Sequence, residues 1–478
     1  MSNIVFLVVP ATVSFTQFGN KRFHGIPLSL IYLAGSIKDT CDRVVYFDFN
    51  VGRNTLEYFE EKLKELKPVC VGVNCLFSGL FTETLEICKF VKKTLPQAKV
   101  VTGGLHPTIF AQEIMENCEC IDAIVLGEGE KVFPLLVKEY LNNQNCINFN
   151  NLDSIVIREG GEVITIPKKK YIEDLDILKP DYESLCLKDY EKNTKEWFDP
   201  NNIKISAVQM PIITSRSCPN SCNFCAMRFV MGNKIRFRSA ENVFNELKML
   251  YENYGINYFK IMDDNFTYNK KRTLEICDMI VKNNLKIAME YSNGLMVKTL
   301  DKEIIDALCQ SGGIIYPLAI ESGSDYIRNT IMRKNCSREL IFEVIQNLRK
   351  YNVHISALVM IGMPEETEET IDDTINMVKN MDIDSVLVSI VNPFPGTALY
   401  EQCKRDKLFT YNFDEDKLWN NAIVGYNKKK DTASGLDFFL IKPYNLSLEV
   451  LEKKYEELRV IRDLKNMNWN EHAAKSQN

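Results

Sequence analysis

The sequence predicts an α/β protein: two parallel-sheet units in tandem, followed by a small, mostly helical C-terminal region. Three observations carry that expectation. Short apolar runs alternate with helix-like stretches over residues 1–145, the alternation resumes over 206–405, and glycine or polar residues recur where the runs end. Continuous apolar strands separated by helices mark a parallel sheet covered on both faces.

In the first region the strand candidates are Ile4–Val9, Val44–Phe49, Val69–Asn74, Lys99–Thr102 and Ala123–Leu126. Helix-like stretches lie near 28–38, 54–66, 82–95 and 108–117, with another after Glu128. This is the pattern of a doubly wound, Rossmann-like domain, whose ligand binds at the carboxyl ends of the strands. Three strand ends mark that edge: Asn74 to Ser78, Gly103-Gly104-Leu105-His106-Pro107-Thr108, and Gly127-Glu128-Gly129-Glu130. Glycine lets backbone approach a bulky ligand closely, and helix N-termini offer N–H donors. Tight turns explain the same glycines.

Residues 146–205 read as a linker, with an apparent hairpin over Ser154–Ile166 turning at Glu159-Gly160-Gly161. The second region has strand candidates Pro211–Thr214, Tyr258–Met262, Ile287–Tyr291, Ile314–Ile320, His354–Ile361 and Ser385–Val391. Helices fall near 240–253, 270–283, 301–310, 337–350, 366–380 and 397–405. Six βα units predict a partial (β/α)6 TIM barrel, with functional groups on the C-terminal strand ends. Residues 406–478, with an amphipathic helix Leu446–Leu464, are expected to cap the substrate side.

Composition narrows the class. The 478 residues carry a formal net charge of −6, without the basic excess of a nucleic-acid binder. Fifteen cysteines, an odd number spread over a long chain, do not make a secreted disulfide framework. A reducing cytoplasm fits, with Cys70, Cys75, Cys88, Cys277 and Cys309 on apolar faces as core residues. The run Ile4–Val9 lacks the basic flank and cleavage site of a signal peptide. No apolar stretch reaches the roughly 18 residues of a membrane span.

The chemistry concentrates at Ser217-Cys218-Pro-Asn-Ser-Cys222-Asn-Phe224-Cys225, a CxxxCxxC loop. A structural zinc site uses four closed ligands, whereas three thiolates on a 4Fe–4S cluster leave one iron open. The loop resembles the signature of the radical S-adenosylmethionine (SAM) superfamily, in which SAM chelates the open iron and an aromatic at the position of Phe224 lies beside the adenine. Five later segments match that superfamily in order. Asp263-Asp264-Asn265-Phe266-Thr267 resembles the segment facing the SAM amino group, although two acids could equally cap the next helix. Asn293 ends the third strand, and Glu321-Ser322-Gly323-Ser324 resembles the ribose segment. Ile361-Gly362-Met363-Pro364-Glu365 resembles the adenine turn, with Glu365 where glycine is usual, and Asn392-Pro-Phe-Pro395-Gly-Thr397 resembles the last element.

Upstream, Gly103-Gly104-x-His106-Pro107-Thr108 resembles the cobalamin-binding domain of cobalamin-dependent radical SAM enzymes, and Asn74, Ser78, Gly127 and Glu128 fall on the same edge. An axial-histidine DxHxxG motif around His24 would need Asp at Arg22 and Gly at Pro27, so the cobalt is expected without a protein histidine below it. The resemblance implies a 4Fe–4S cluster, SAM and cobalamin as cofactors. It also implies reductive SAM cleavage to a 5′-deoxyadenosyl radical, hydrogen abstraction, and methyl transfer from methylcobalamin to an unactivated carbon of a small molecule or peptide. An external flavodoxin- or ferredoxin-type reductant follows; nucleic-acid and membrane partners do not. Rearrangement or cyclisation on the same scaffold is the alternative. A methylthiotransferase would carry a second cysteine trio, and a corrinoid carrier would make no deoxyadenosine. No general acid or base is assigned. Tyr316, Met360 and Ser389 are candidates to face the substrate cavity, or are core.

Overall fold

The computed structural model describes residues 2–11, 25–76, 78–142, 152–168, 170–192, 203–410, 419–420 and 439–475. Its contacts separate two compact units: Met1–Tyr190 with Phe229–Gly232 and Asp414–Lys429, and Glu191–Arg228 with Asn233–Phe413 and Lys430–Asn478.

The first unit contains β1 (Ser2–Val9), β2 (Arg43–Asp48), β3 (Pro68–Asn74), β4 (Lys99–Gly103) and β5 (Ala123–Val125), all parallel. An antiparallel hairpin, β6 (Ile155–Glu159) and β7 (Glu162–Ile166), pairs onto β5. The order β2-β1-β3-β4-β5-β6-β7 reverses direction at β1, which places a switch-point crevice at the carboxyl ends of β1 and β3. The hairpin therefore belongs to the sheet rather than to a linker: Ile155 and Ile157 are buried against the same core as β1 and β5, and apolar burial decides its place. Helices α1 (Leu28–Ile37), α2 (Leu56–Leu66), α3 (Phe81–Thr94), α4 (Leu105–Ile109), α5 (Ala111–Asn117) and α6 (Val132–Asn142) connect these strands. The start of α2 is fixed by Thr55, whose hydroxyl accepts from the Tyr58 N–H.

The second unit is a six-stranded all-parallel sheet ordered by sequence: β8 (Gln209–Ile212), then, after the short strands β9 (Ser215–Arg216) and β10 (Arg236–Phe237), β11 (Tyr258–Ile261), β12 (Ala288–Glu290), β13 (Gly313–Glu321), β14 (His354–Ile361) and β15 (Ser385–Ile390). This is the partial barrel. Its helices are α7 (Met227–Met231), α8 (Ala240–Tyr254), α9 (Lys270–Lys282), α10 (Lys302–Gln310), α11 (Arg338–Leu348), α12 (Glu368–Asn380), α13 (Ala398–Arg405) and α14 (Leu448–Lys475). Side-chain caps start most of them: Ser239, Asp301, Ser337, Thr367 and Thr397 each accept from the backbone N–H three residues on. The C-terminal helix runs past the expected Leu464.

Register separates the two faces of the barrel. Leu358 and Met360 of β14 partner Leu387 and Ser389 of β15, and these four are half-buried or exposed. Tyr316 has the other parity: fully buried, it packs on Tyr291 at 5.3 Å and its hydroxyl donates to Cys309 of α10. Of the three cavity candidates, Met360 and Ser389 face inward, while Tyr316 is corrected to helix-side core.

Candidate active site

The cysteine loop hangs between β9 and β10, which pair antiparallel and clasp both of its ends. Asp263 secures the base. Its carboxylate accepts from the Thr214 N–H, the Thr214 hydroxyl and the Ser215 hydroxyl, each at 2.6 Å. Arg272 donates to the Thr214 carbonyl at 2.8 Å and to the Arg238 carbonyl at 2.6 Å, while Arg238 donates to the Ile213 carbonyl at 3.0 Å and pairs with Glu246. Burial pushes the Asp263 carboxyl up, against the opposing charge of Arg272 and the three donors. Asp263 is thus filled by its own loop and is corrected from a ligand contact to an anchor. Asp264 is the member of the pair left half-buried: burial, then the neighbouring Asp263 charge, push it up to about 6, against a hydrogen bond from the Ser217 N–H.

Above this base the three thiols are half-buried and free. Burial pushes Cys222 up and Cys225 up to about 11, so these thiols ionise by exchanging a proton for a metal. The Asn220 amide donates to the Cys218 sulfur at 3.0 Å, and the Asn265 amide approaches it at 3.9 Å. Lys298 donates to the Asn220 Oδ1 at 3.0 Å, which orients that amide. Asn265 is 1% exposed and its Oδ1 has no hydrogen-bond partner among the described residues. An orphaned buried acceptor is expensive unless a ligand donor meets it.

The later strand ends converge by contacts of their own. The Asn223 carbonyl accepts from the Leu399 N–H at 3.0 Å, tying the cysteine loop to α13, and Phe224 packs in the cluster of Met363, Val391 and Leu399. Ile361 is fully buried, and Pro395 is half-buried just before the Thr397 cap. The turn after β14 is held by Glu366, which accepts from the Gly362 and Met363 N–H groups at 2.5 and 2.9 Å; burial pushes its carboxyl up to about 7. Glu365 instead accepts from Gln402 at 2.6 Å. Asn293 is exposed and donates to the Met262 carbonyl at 2.7 Å. Ser322 is corrected to scaffold: fully buried, its hydroxyl meets Thr374 at 3.2 Å and accepts from the Ser324 N–H.

Glu321 takes a left-handed φ of 70° and accepts from Lys334 at 2.8 Å. Burial disfavours the Lys334 charge, but the Glu321 carboxylate, then the Cys222 and Cys218 thiols, carry its pKa above the ordinary value. Sequence reasoning missed Lys334, whose Arg333-Lys334 run looks like a solvated charge pair. Asn220, Asn265 and Glu366 lay unassigned inside motifs already recognised.

In the first unit the chain's own backbone accounts for the turn glycine, and several polar side chains bond within the unit. A Cβ on Gly104, whose φ is 117°, would lie 2.2 Å from the Cys75 carbonyl, so only glycine fits. Thr108 donates to the Gly104 carbonyl at 2.6 Å and accepts from the Gly127 N–H at 2.9 Å, stapling the ends of β4 and β5. Glu128 is buried and accepts from the Ile172 N–H at 3.0 Å, with Lys168 at 3.8 Å. His106 is fully buried between Phe81 and Phe110, and its Nε2 donates to the Trp419 carbonyl at 3.0 Å. Burial pushes its pKa down to about 4. The Thr108 hydroxyl, the Glu128 carboxylate and the His106 Nε2 thus each bond within the unit itself. His24 lies outside the described residues. Asn74, Ser78 and Gly103 stay half-buried at the strand edge, beside the exposed Leu76 and the glycine turn at Gly127.

Comparison with known proteins gives the family. The radical SAM superfamily profile matches residues 212–378, and the B12 binding domain profile matches residues 19–137. An uncharacterised methyltransferase of Pyrococcus horikoshii is 30% identical over 433 residues, covering 90% of this chain and 86% of that protein. The chain belongs to the cobalamin-dependent radical SAM family.

Another relative of this radical SAM enzyme is the anaerobic magnesium-protoporphyrin IX monomethyl ester cyclase of Cereibacter sphaeroides, 24% identical over 396 residues, 81% of this chain and 62% of that protein. The solved radical SAM methyltransferase TsrM of Kitasatospora setae shares the fold, with a TM-score of 0.72 over 96% of this chain and 89% of that one at 16% identity. The cofactors of the enzyme are a 4Fe–4S cluster, SAM and cobalamin. Its residues fit them. Among the described residues no three His, Cys, Asp or Glu side chains converge on one ion, while thiolates that each hold a separate iron need no such convergence. The orphaned Asn265 acceptor suits the SAM ammonium, and the glycine-bearing edge around Gly103 and Leu76 suits a broad, amide-rimmed ring. Among the described residues no helix is long and apolar enough to cross a membrane.

Proposed function

We propose that the enzyme cleaves SAM reductively to a 5′-deoxyadenosyl radical, removes hydrogen from an unactivated carbon of a small-molecule or peptide substrate, and methylates that carbon. When bound, the cofactors supply the electron, the radical and the transferable methyl group; the chain supplies position and exclusion of competing reactions. Cys218, Cys222 and Cys225 hold three irons and leave the fourth to SAM. Asp264 and the Asn265 Oδ1 receive the SAM amino group, Glu321 the ribose, and Phe224, Ile361 and Pro395 the adenine, with Asn293 on the rim. Asn74, Ser78, Gly103, Gly104 and Gly127 carry the corrin edge. Met360, Leu387 and Ser389 give the inner barrel face an apolar surface with one hydroxyl toward substrate.

The single observation carrying this reading is the trio of free thiols beside an orphaned buried acceptor. An external one-electron reductant of flavodoxin or ferredoxin type, working in a reducing cytoplasm, completes the scheme. The test uses full-length protein reconstituted without oxygen with iron, sulfide and hydroxocobalamin. Dithionite and methyl-labelled SAM should yield 5′-deoxyadenosine, and a labelled product once a substrate is supplied; absence of deoxyadenosine overturns the reading. The likeness to the cyclase favours one second reading, ring closure on the same scaffold, which would leave the product unlabelled.

A further inference from the structure

The turn after β12 reaches across to the cysteine loop and closes on one side chain, Asn220. That residue lies two positions beyond Cys218, inside the CxxxCxxC stretch. Its amide nitrogen donates to the Cys218 sulfur at 3.0 Å and to the Met296 thioether at 3.3 Å. Its Oδ1 accepts from Lys298 at 3.0 Å. The Asn265 amide nitrogen stands 3.9 Å from the same two sulfurs. The turn Val297–Thr299, which carries Lys298, is itself pinned: the Thr299 hydroxyl donates to the Met296 carbonyl at 2.7 Å and meets the Thr267 hydroxyl at 2.5 Å. Thr267 belongs to the segment that follows β11. Residues from two other strand ends thus fix where the Asn220 N–H groups point.

Loop shape alone does not explain the arrangement. Thiol and thioether sulfurs are weak acceptors, so an amide turned toward two of them holds the loop weakly. A charged acceptor makes such a bond roughly twice as strong. The Asn220 contact therefore gains most when Cys218 is a thiolate on iron, and the Lys298 cation at the amide oxygen polarises the N–H further. It gains again when an added electron raises the negative charge on the sulfurs. Hydrogen bonds to cluster sulfurs are among the levers a protein has on cluster potential.

We propose that Asn220, polarised by Lys298, is a positioning residue of the iron–sulfur centre that acts through the Cys218 sulfur to favour the reduced form. The inference rests on Cys218, Cys222 and Cys225 being the cluster ligands. The step is a plain electron transfer: an external one-electron reductant loses one electron, the centre gains it, and no bond forms or breaks. The amide N–H, already aimed at the sulfur, offsets part of the added charge without rearranging the loop.

The experiment is a redox titration of the anaerobically reconstituted full-length protein, followed by electron paramagnetic resonance, with iron counted in each sample. Asn220→Leu keeps the size of the side chain and removes both N–H donors. It should lower the reduced-to-oxidised ratio at fixed poise about tenfold, the usual effect of one hydrogen bond to a charged group, a shift of about 59 mV for a one-electron couple. Lys298→Met leaves the amide and takes away the cation behind it, so it should lower the ratio about threefold. Lys298→Arg should keep the parent value. Full iron with an unchanged potential in Asn220→Leu, or in Lys298→Met where Asn220→Leu loses iron, overturns the proposal. A parent protein that takes up no iron instead overturns the ligand assignment beneath it.

Discussion

The two units use the same architecture, a parallel sheet with its working edge at the carboxyl ends of the strands, but equip that edge differently. In the barrel unit reactive side chains stand on the edge, and a second tier (Asp263, Ser322, Glu366) is buried beneath to hold them. In the N-terminal unit the polar side chains have nearly all gone into the second tier, and the edge is left to backbone, Asn74, Ser78 and glycine. The difference follows from the ligands. Iron and a sulfonium nucleotide need specific donor atoms; a broad macrocycle needs room and backbone amides.

The largest expected effect tests the ligand side of that contrast. Cys222→Ala should reduce bound iron from about four per chain to background and abolish deoxyadenosine release, while a corrinoid spectrum still survives desalting. Loss of the corrinoid as well would mean that the two edges are not independent.

Next come the anchors. Asp263→Ala strands three donors and Arg272 in the interior and should cost about 3–5 kcal/mol. Gly104→Ala drives a methyl group into the Cys75 carbonyl and should cost about 2–4 kcal/mol, in the other unit. Urea melts of the two variants should each lose the transition of one unit and keep that of the other.

Acid and base should also separate the units. His106 and His354, one in each unit, are both pushed down to about 4 by burial. Their unfolded forms take up protons near 6.5, so each contributes stability that is full above about 6.5 and is lost as pH falls toward 4. Glu366 works in the opposite sense: the native carboxyl keeps its proton to about 7, the unfolded one releases it near 4.5, and stability falls as pH rises across that window. Only the barrel unit contains Glu366, so its stability should peak at a lower pH than that of the N-terminal unit. A Glu366→Gln protein should lose the alkaline part of that decline; identical pH profiles before and after would remove Glu366 as its cause. The smallest effect is expected at Thr108→Val, where loss of one staple should cost about 1 kcal/mol in thermal unfolding.

Much of this was legible in the sequence. Apolar strands alternating with helices specify both sheets, and the cysteine spacing specifies the chemistry, because those features are local. The hairpin over Ser154–Ile166 is legible within the stretch 146–205, but its place in the sheet is not, since joining a sheet is a long-range choice that two short antiparallel strands do not announce. Asp263 and Asp264 look alike in sequence, yet one faces down into Thr214 and Ser215 and the other is left half-buried, a difference set by where β11 ends. Lys334 was invisible because its burial depends on a π-helical turn and a buried arginine several residues away.

The clasp of β9 and β10 has one more consequence. Both ends of the cysteine stretch are locked by backbone pairing and by Asp263, so protein contacts, and not iron alone, fix where the loop begins and ends. A cluster lost to oxygen would then leave those two anchored ends in place for the next one.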